Sequence, residues 1–476
     1  MRNVECGIVG MRSSKVNPIT IRCAVAKLEH SNIQEKIKVK SRSLKINLNG
    51  FRTFGLFGLP DFTPKHLLIA LICLLVVSCK KNSSPAPVVP NAPNTTTTVT
   101  GAKPVVKTNS QKVYVHYMPW FETPASSGTG NWGLHWTMAN ENPNTILPNG
   151  RRQIASWFYP MIGPYDSDDR DVIDYHLLLM KYAGIDGVIV DWYGVQNVDD
   201  YPLNKRNTDS IFSRIPGAGL QFGICYEDQT LAQDKAVAGI DTLTAAESDF
   251  NYLQSAYFTS SSYIKINNQP LLLDFGPQGL KTTSDWQEAL SVFSVKPRLL
   301  SLEYQDGVMG TYGSGEFAWP EATDQVNLSG FYQSRAPSLP TFFAGAYPGF
   351  QDFYLQGGWG NTLFPISYNG TGTLQNCLNL AKTSGTNYLQ LITWNDYGEG
   401  TMIEPTLDFN FTFLQAIQAY TGVSYTVIEL QLIYKWYTLR KKYVGNTTVE
   451  NQLTQAYNDL IALNVTGATT IISGIN

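Results

Sequence analysis

Residues 168–192 read DDRDVIDYHLLLMKYAGIDGVIVDW, and the change of period inside that stretch decides the fold. In its first part, Asp168–Tyr182, the apolar residues Val172, Ile173, Leu177, Leu178 and Met180 fall at helical spacing. Ala183-Gly184 closes the helix, since glycine accepts the left-handed backbone that ends one. The second part, Gly187–Trp192, is a continuous apolar run rather than an in–out alternation. Such runs belong to strands buried on both faces of a parallel sheet.

The same alternation extends in both directions. Strands are expected at Lys112–Met118, Gln221–Tyr226, Pro270–Phe275, Arg298–Tyr304, Leu328–Tyr332, Thr341–Ala346 and Tyr388–Thr393. Helices are expected at Ala245–Phe258, Ser284–Phe293 and Gly372–Thr383. With Gly187–Trp192 the strands number eight, which argues for a closed (β/α)8 TIM barrel over residues 109–425 in the α/β class. No Gly-x-Gly-x-x-Gly follows the first strand, so the dinucleotide-binding form of an open sheet lacks its fingerprint. Beyond Asp408 the chain reads as helical to Ile417, and residues 426–476 form a C-terminal helical segment with helices at Val427–Lys442 and Val449–Leu463. These two are expected to pack as a hairpin against the barrel or beside it.

The N-terminal part has a different character. Leu67–Val77 is apolar, follows Lys65-His66, and is too short to span a bilayer. It has the length of a signal-peptide core and ends in Val76-Val77-Ser78-Cys79, which resembles a bacterial lipobox. The expectation is a signal segment within residues 1–78, lipidation at Cys79 and a Pro/Thr-rich tether over residues 79–108. That places the protein in the bacterial cell envelope as a lipid-anchored outer-membrane protein, facing the periplasm or the surface. Residues 1–60 are basic and precede the core by more than a signal needs, which fits a reading frame extended upstream of a start near residue 55.

The net charge is −3 with 15% charged residues, which gives no case for a nucleic-acid partner. Aromatic residues make up 12%, a level that suits either a large core or a cleft in which rings stack on sugar faces. The cysteines at 6, 23, 73, 79, 225 and 377 include no Cys-x-x-Cys pair and no Cys/His cluster, so no metal and no other cofactor is expected. Cys225 and Cys377 are open to either a disulfide or two buried thiols. A monomer is expected.

Barrel enzymes carry their chemistry at the C-terminal ends of the strands. Those positions hold His116, Tyr117, Trp120 and Phe121; Asp191, Trp192 and Tyr193; Tyr226, Glu227 and Asp228; Asp274; Glu303 and Tyr304; Tyr347; and Trp394, Asn395, Asp396 and Glu399. Carboxylates interleaved with aromatics suit glycosidic cleavage, which needs two carboxyl groups in different protonation states. Asp396 and Glu399 stand three apart beside Gly398 and Gly400, whose freedom lets the loop aim both into one cleft. The plain alternatives are that Asp396 and Glu399 cap a helix, that Asp191 and Asp274 bond neighbouring strands at the rim, and that His176, inside a helix, is structural.

The motifs His116–Phe121, Asn131–Trp136, Gly187–Tyr193 and Thr393–Pro405 together resemble the glycoside hydrolase family 71/99 group over residues 112–410. Family 99 enzymes, endo-acting on α-mannosides, carry a glutamate pair at this spacing; the second aligns with Glu399, while Asp396 holds the first position. Thr393-Trp394-Asn395-Asp396-Tyr397-Gly398-Glu399 is closer to family 71, the α-1,3-glucanases. The resemblance implies an endo-acting hydrolase of α-mannan or α-1,3-glucan, with Glu399 as general acid and Asp396 as general base. It implies retention through attack on the sugar 2-hydroxyl if the protein follows family 99, and inversion through water if it follows family 71. On this reading Tyr117, Trp120, Trp136, Trp192, Tyr193 and Tyr226 form a sugar platform beside Trp394 and Asn395. His116, His135, Asp191 and Glu227 are candidates to bind hydroxyls. A glycan-binding protein without turnover is the rival reading.

Overall fold

In the computed structural model, which describes residues 101–475, eight strands close into one ring. The lipobox with Cys79, the signal segment and most of the tether lie outside the described residues. The strands are β1 (Lys112–Tyr117), β2 (Gly187–Trp192), β3 (Gln221–Tyr226), β4 (Gln269–Asp274), β5 (Arg298–Leu302), β6 (Glu316–Phe317), β7 (Phe342–Ala346) and β8 (Tyr388–Leu391). Neighbours in sequence are neighbours in space, and every pairing round the ring is parallel. The register of β2 with β3 sets Asp191 beside Cys225 and Trp192 beside Tyr226. β2 is buried along its whole length, as its apolar run requires.

One expected strand is wrong in place and type. Leu328–Tyr332 lies on a helix, Gln325–Gly330, that continues into a wider turn at Phe331–Arg335. Its buried apolar residues Leu328, Phe331 and Tyr332 follow an i, i+3, i+4 pattern, a helical period. The sixth strand is Glu316–Phe317, only two residues long and too short to leave a pattern. The fifth ends at Leu302, and Tyr304 beyond it turns through a positive φ of 63°.

The helix before β2, α1 (Arg170–Tyr182), starts where the Asp169 carboxylate accepts the N–H groups of Asp171 and Val172. A second helix, α2 (Tyr201–Ala218), has no sequence signature because its buried face includes Asn204, Asn207 and Thr208. Those amides brace strand ends: Asn204 donates to the Asp191 carbonyl at 3.1 Å and Asn207 to that of Pro119 at 2.6 Å.

Of the C-terminal helices Val427–Lys442, Thr447–Ile461 and Val465–Gly474, the first packs on α1, with Lys441 and Arg440 paired to Asp169 and Asp171, and the other two pack on the first and on each other. The first opens with a capping box between Thr426 and Glu429. Within this layer Trp436 is 1% exposed, and its indole donates to the Leu453 carbonyl at 2.8 Å. Trp436→Ala therefore leaves a large cavity and removes the tie between the two helices. It should cost about 3–5 kcal/mol in a denaturant titration; a loss under about 1 kcal/mol would show the layer to be dispensable.

Candidate active site

The loop after β8 is tied down before its carboxyls are presented. Trp394 N–H donates to the His116 carbonyl at 2.6 Å, and Thr393 and Thr401 meet through both backbone and hydroxyls. Asp396 N–H donates to the Thr393 hydroxyl at 2.8 Å, and Asp396 Oδ1 accepts the Glu399 N–H at 2.9 Å. Gly400 takes a φ of +71°, and a Cβ there would lie 2.7 Å from the Tyr368 hydroxyl and 2.8 Å from the Gln351 carbonyl oxygen. Only glycine lets the loop close on Gln351. Gly398 keeps a negative φ, so Gly400 alone supplies the left-handed turn.

Asp396 is buried and Glu399 half-buried at the end of this loop. The Tyr354 hydroxyl donates to Glu399 Oε1 at 2.8 Å. Burial raises the protonation range of both carboxyls. Asp396 is raised further by the charges of Glu399 and Asp191, and the Tyr354 hydroxyl opposes the rise at Glu399. Across the mouth Asp191 and Glu227 are likewise raised by burial; their carboxyls meet, and a proton between them makes that contact a hydrogen bond. Burial, with the charges of Asp191, Asp200, Glu227 and Asp396, pushes the Tyr193 phenol up. Closely spaced desolvated carboxyls cannot all ionise, so the mouth retains protons above the usual carboxylate range.

One side of this cluster is an aromatic wall. Trp120 stacks on His135 with centroids 4.0 Å apart, Tyr193 stands 6.2 Å from Trp120, and Trp359 meets His135 edge-on. His135 Nε2 is 3.3 Å from Asp200 Oδ2.

Several expected sugar contacts lie behind the wall instead. Strand side chains alternate; with Asp191 directed into the barrel, Trp192 points outward and stacks on Tyr252. Tyr226 also points outward, its hydroxyl donating to Asp249 at 2.6 Å. Trp136 is fully buried, stacked on Phe121 and bonded to the Tyr165 carbonyl. Tyr117 bonds His176 Nδ1 at 2.9 Å, Trp394 packs against His176, and Asn395 is held by both backbone groups of Met118. Hence Tyr117, Trp136, Trp192, Tyr226, Trp394 and Asn395 support the site without facing it. His176 has the structural role expected of it. Asp274 forms no rim bond: it is buried beside Asp228, whose carboxylate accepts three N–H groups and is raised to about 6, chiefly by burial.

Tyr354 and Trp359 are not legible as site residues in the sequence. Tyr354 opens a four-residue helix, Tyr354–Gly357, and Trp359 follows it, in the connection after β7 where no period marks a strand end. The Tyr354 bond stabilises the ionised form of Glu399, so Tyr354→Phe should raise the Glu399 pKa. If Glu399 acts as the acid, the alkaline limb of the pH–rate profile moves upward; an unmoved limb would detach Tyr354 from the titrating group.

Beneath these acids His116 is wholly buried, and burial lowers its pKa to about 3. Cys225 and Cys377 are both free, buried thiols. His116, Asp191 and Cys225 bring ligand-type atoms within 4.8 Å of one another.

The model of glycosyl hydrolase family 99 matches residues 108–420. A mouse glycoprotein endo-alpha-1,2-mannosidase-like protein is 25% identical over 162 residues, covering 33% of this chain and 34% of that one. A rat glycoprotein endo-alpha-1,2-mannosidase is 29% identical over 109 residues, 22% of this chain and 23% of its own. The aligned region thus spans about a third or less of these relatives. The solved endo-alpha-mannosidase of Bacteroides thetaiotaomicron superposes with a TM-score of 0.50 at 17% identity, covering 68% of this chain and 98% of that one, which is a likeness of fold. With the family model matched across the whole barrel, this chain belongs to glycosyl hydrolase family 99.

Proposed function

We propose that the protein is an endo-acting hydrolase of α-linked mannose glycans, with Glu399 as general acid and Asp396 as general base. The observation that carries this reading is the carboxyl pair on the β8 loop, Asp396 tied to the Glu399 N–H and Glu399 to the Tyr354 hydroxyl, desolvated at the barrel mouth. Glu399 is the more exposed of the two and suits proton donation to the leaving oxygen. Asp396 lies deeper, its Oδ1 anchored by the Glu399 N–H, with Oδ2 left to take a proton from the sugar 2-hydroxyl or from water. Trp120 and Tyr193 offer faces for stacking, and His135 and Glu227 offer polar groups for hydroxyls, while Asp191 is buried beneath them.

Asp396 also supports a second reading. An aspartate is one methylene shorter than glutamate, which leaves space for a water and favours inversion, as in α-1,3-glucan cleavage. The deciding measurement is turnover on a panel of α-mannan and α-1,3-glucan oligosaccharides, with the anomer of the first product read by NMR. Mannan cleavage with retention supports the first reading, and glucan cleavage with inversion supports the second. Binding without turnover across the panel would leave a glycan-binding protein. Lipidation at Cys79 is part of the proposal, together with an envelope location and a monomeric state. Labelled fatty acid should enter the parent and not Cys79→Ala.

A further inference from the structure

We propose that His116, Asp191 and Cys225 bind one divalent cation of the zinc class in the barrel interior, beneath the carboxyls of the mouth. The three residues come from adjacent strands: β1, β2 and β3. They are distant in sequence, which is why no ligand spacing betrays them.

The polar atoms are unsatisfied in a way that barrel packing does not explain. Among the described residues, neither ring nitrogen of His116 has a hydrogen-bond partner. Asp191 receives no N–H, and its one near polar neighbour is another acid, Glu227, with which it can share only a proton. All three side chains are excluded from water. An orphaned buried polar group bears its full desolvation cost, and an aliphatic side chain would fill the same volume without it.

The spacing suits a cation better than a hydrogen bond. His116 Nε2 stands 3.7 Å from Asp191 Oδ1, beyond hydrogen-bond reach. A tetrahedral ion with metal–N and metal–O lengths of about 2.0–2.2 Å separates two such ligands by roughly 3.4 Å. A contraction of a few tenths of an ångström brings this pair to ligand separation, and the Cys225 sulfur, within 4.8 Å of both, completes the set by moving toward them. Imidazole and thiolate select zinc over magnesium or calcium, which prefer all-oxygen shells. Three protein ligands leave a fourth position for water. The backbone holds the imidazole in place: the His116 carbonyl accepts the Trp394 N–H, and Trp319 meets the ring edge-on at 4.9 Å. Binding displaces the Cys225 thiol proton, and any proton carried by Asp191, to solvent, while neutral His116 lends its lone pair. The site requires no particular sugar at the mouth above it.

The test uses the full chain, stripped with a chelator, loaded with Zn2+ and desalted. Elemental analysis should find one zinc per chain, with a higher melting temperature than the stripped protein. Loading with Co2+ should produce a thiolate-to-cobalt charge-transfer band. Cys225→Ser, with the other cysteines in place, should lose that band and most of the zinc. His116→Gln should lose the zinc independently, and circular dichroism confirms that each variant is folded. Zinc retained by both folded variants at the parental level, or a parent that retains none, would overturn the site. So would a cobalt complex lacking the thiolate band.

Discussion

Glu399→Gln and Asp396→Asn are each expected to lower turnover by about 10²–10⁴-fold, the usual range for losing a general acid or base. Both should also raise the melting temperature above the carboxylate range. The two effects have one origin. Burial and mutual repulsion hold the folded pKa values of both groups above their unfolded ones. A raised pKa contributes stability that is fully present below the unfolded value and is lost as pH rises through the folded value. The parent should therefore lose stability through the weakly acid to neutral range, and the neutral amides should be spared that loss. Both substitutions keep the local geometry, since the side-chain amide oxygen introduced by Asp396→Asn can still accept the Glu399 N–H. Melting temperatures of parent and variants should converge near pH 4 and separate at pH 8, with each pKa unit of displacement worth about 1.4 kcal/mol. Parental turnover in both variants would remove the pair from the chemistry. A stability gap that narrows with rising pH would show that the carboxylates are not destabilised by burial.

What the sequence discloses and what it hides follow from one distinction. Patterns repeated along the chain are readable: β2 with α1 before it, the turn at Gly400, and the Asp396–Glu399 spacing. Alternation within a strand is predictable too, yet nearness to a strand end alone places aromatics in the cleft that alternation turns away from it. Asp191 facing inward forces Trp192 outward, and the same geometry sends Tyr226 to Asp249. Tertiary convergence leaves no local trace. Tyr354 reaches Glu399 across 45 positions, and His116, Asp191 and Cys225 meet only because β1, β2 and β3 are neighbours in the ring. The two-residue β6 and the polar buried face of α2 lack the hydrophobic period on which such reading depends.

Glu404→Ala should be the most destabilising single change in the barrel, at about 3–5 kcal/mol, because it leaves buried polar partners uncompensated. Glu404 Oε1 lies 3.1 Å from His176 Nε2, and Oε2 accepts the Tyr165 hydroxyl at 2.8 Å. From there the network runs both ways. His176 Nδ1 meets the Tyr117 hydroxyl at 2.9 Å on β1, and the Asn395 amide donates to the Tyr165 hydroxyl at 3.0 Å. Every member is buried, so no water can replace a lost partner. Glu404→Gln keeps one acceptor and should cost less than the alanine. Asn395 immediately precedes Asp396, so loosening this network should also lower kcat in the protein that stays folded, while KM moves less. The fall should be smaller than for Glu399→Gln, because Glu404 holds the loop and touches no substrate. A double-mutant cycle with His176→Ala should return a coupling of about 0.5–3 kcal/mol. Additive losses would break the network into independent bonds and leave the placement of Asp396 to the ties of its own loop.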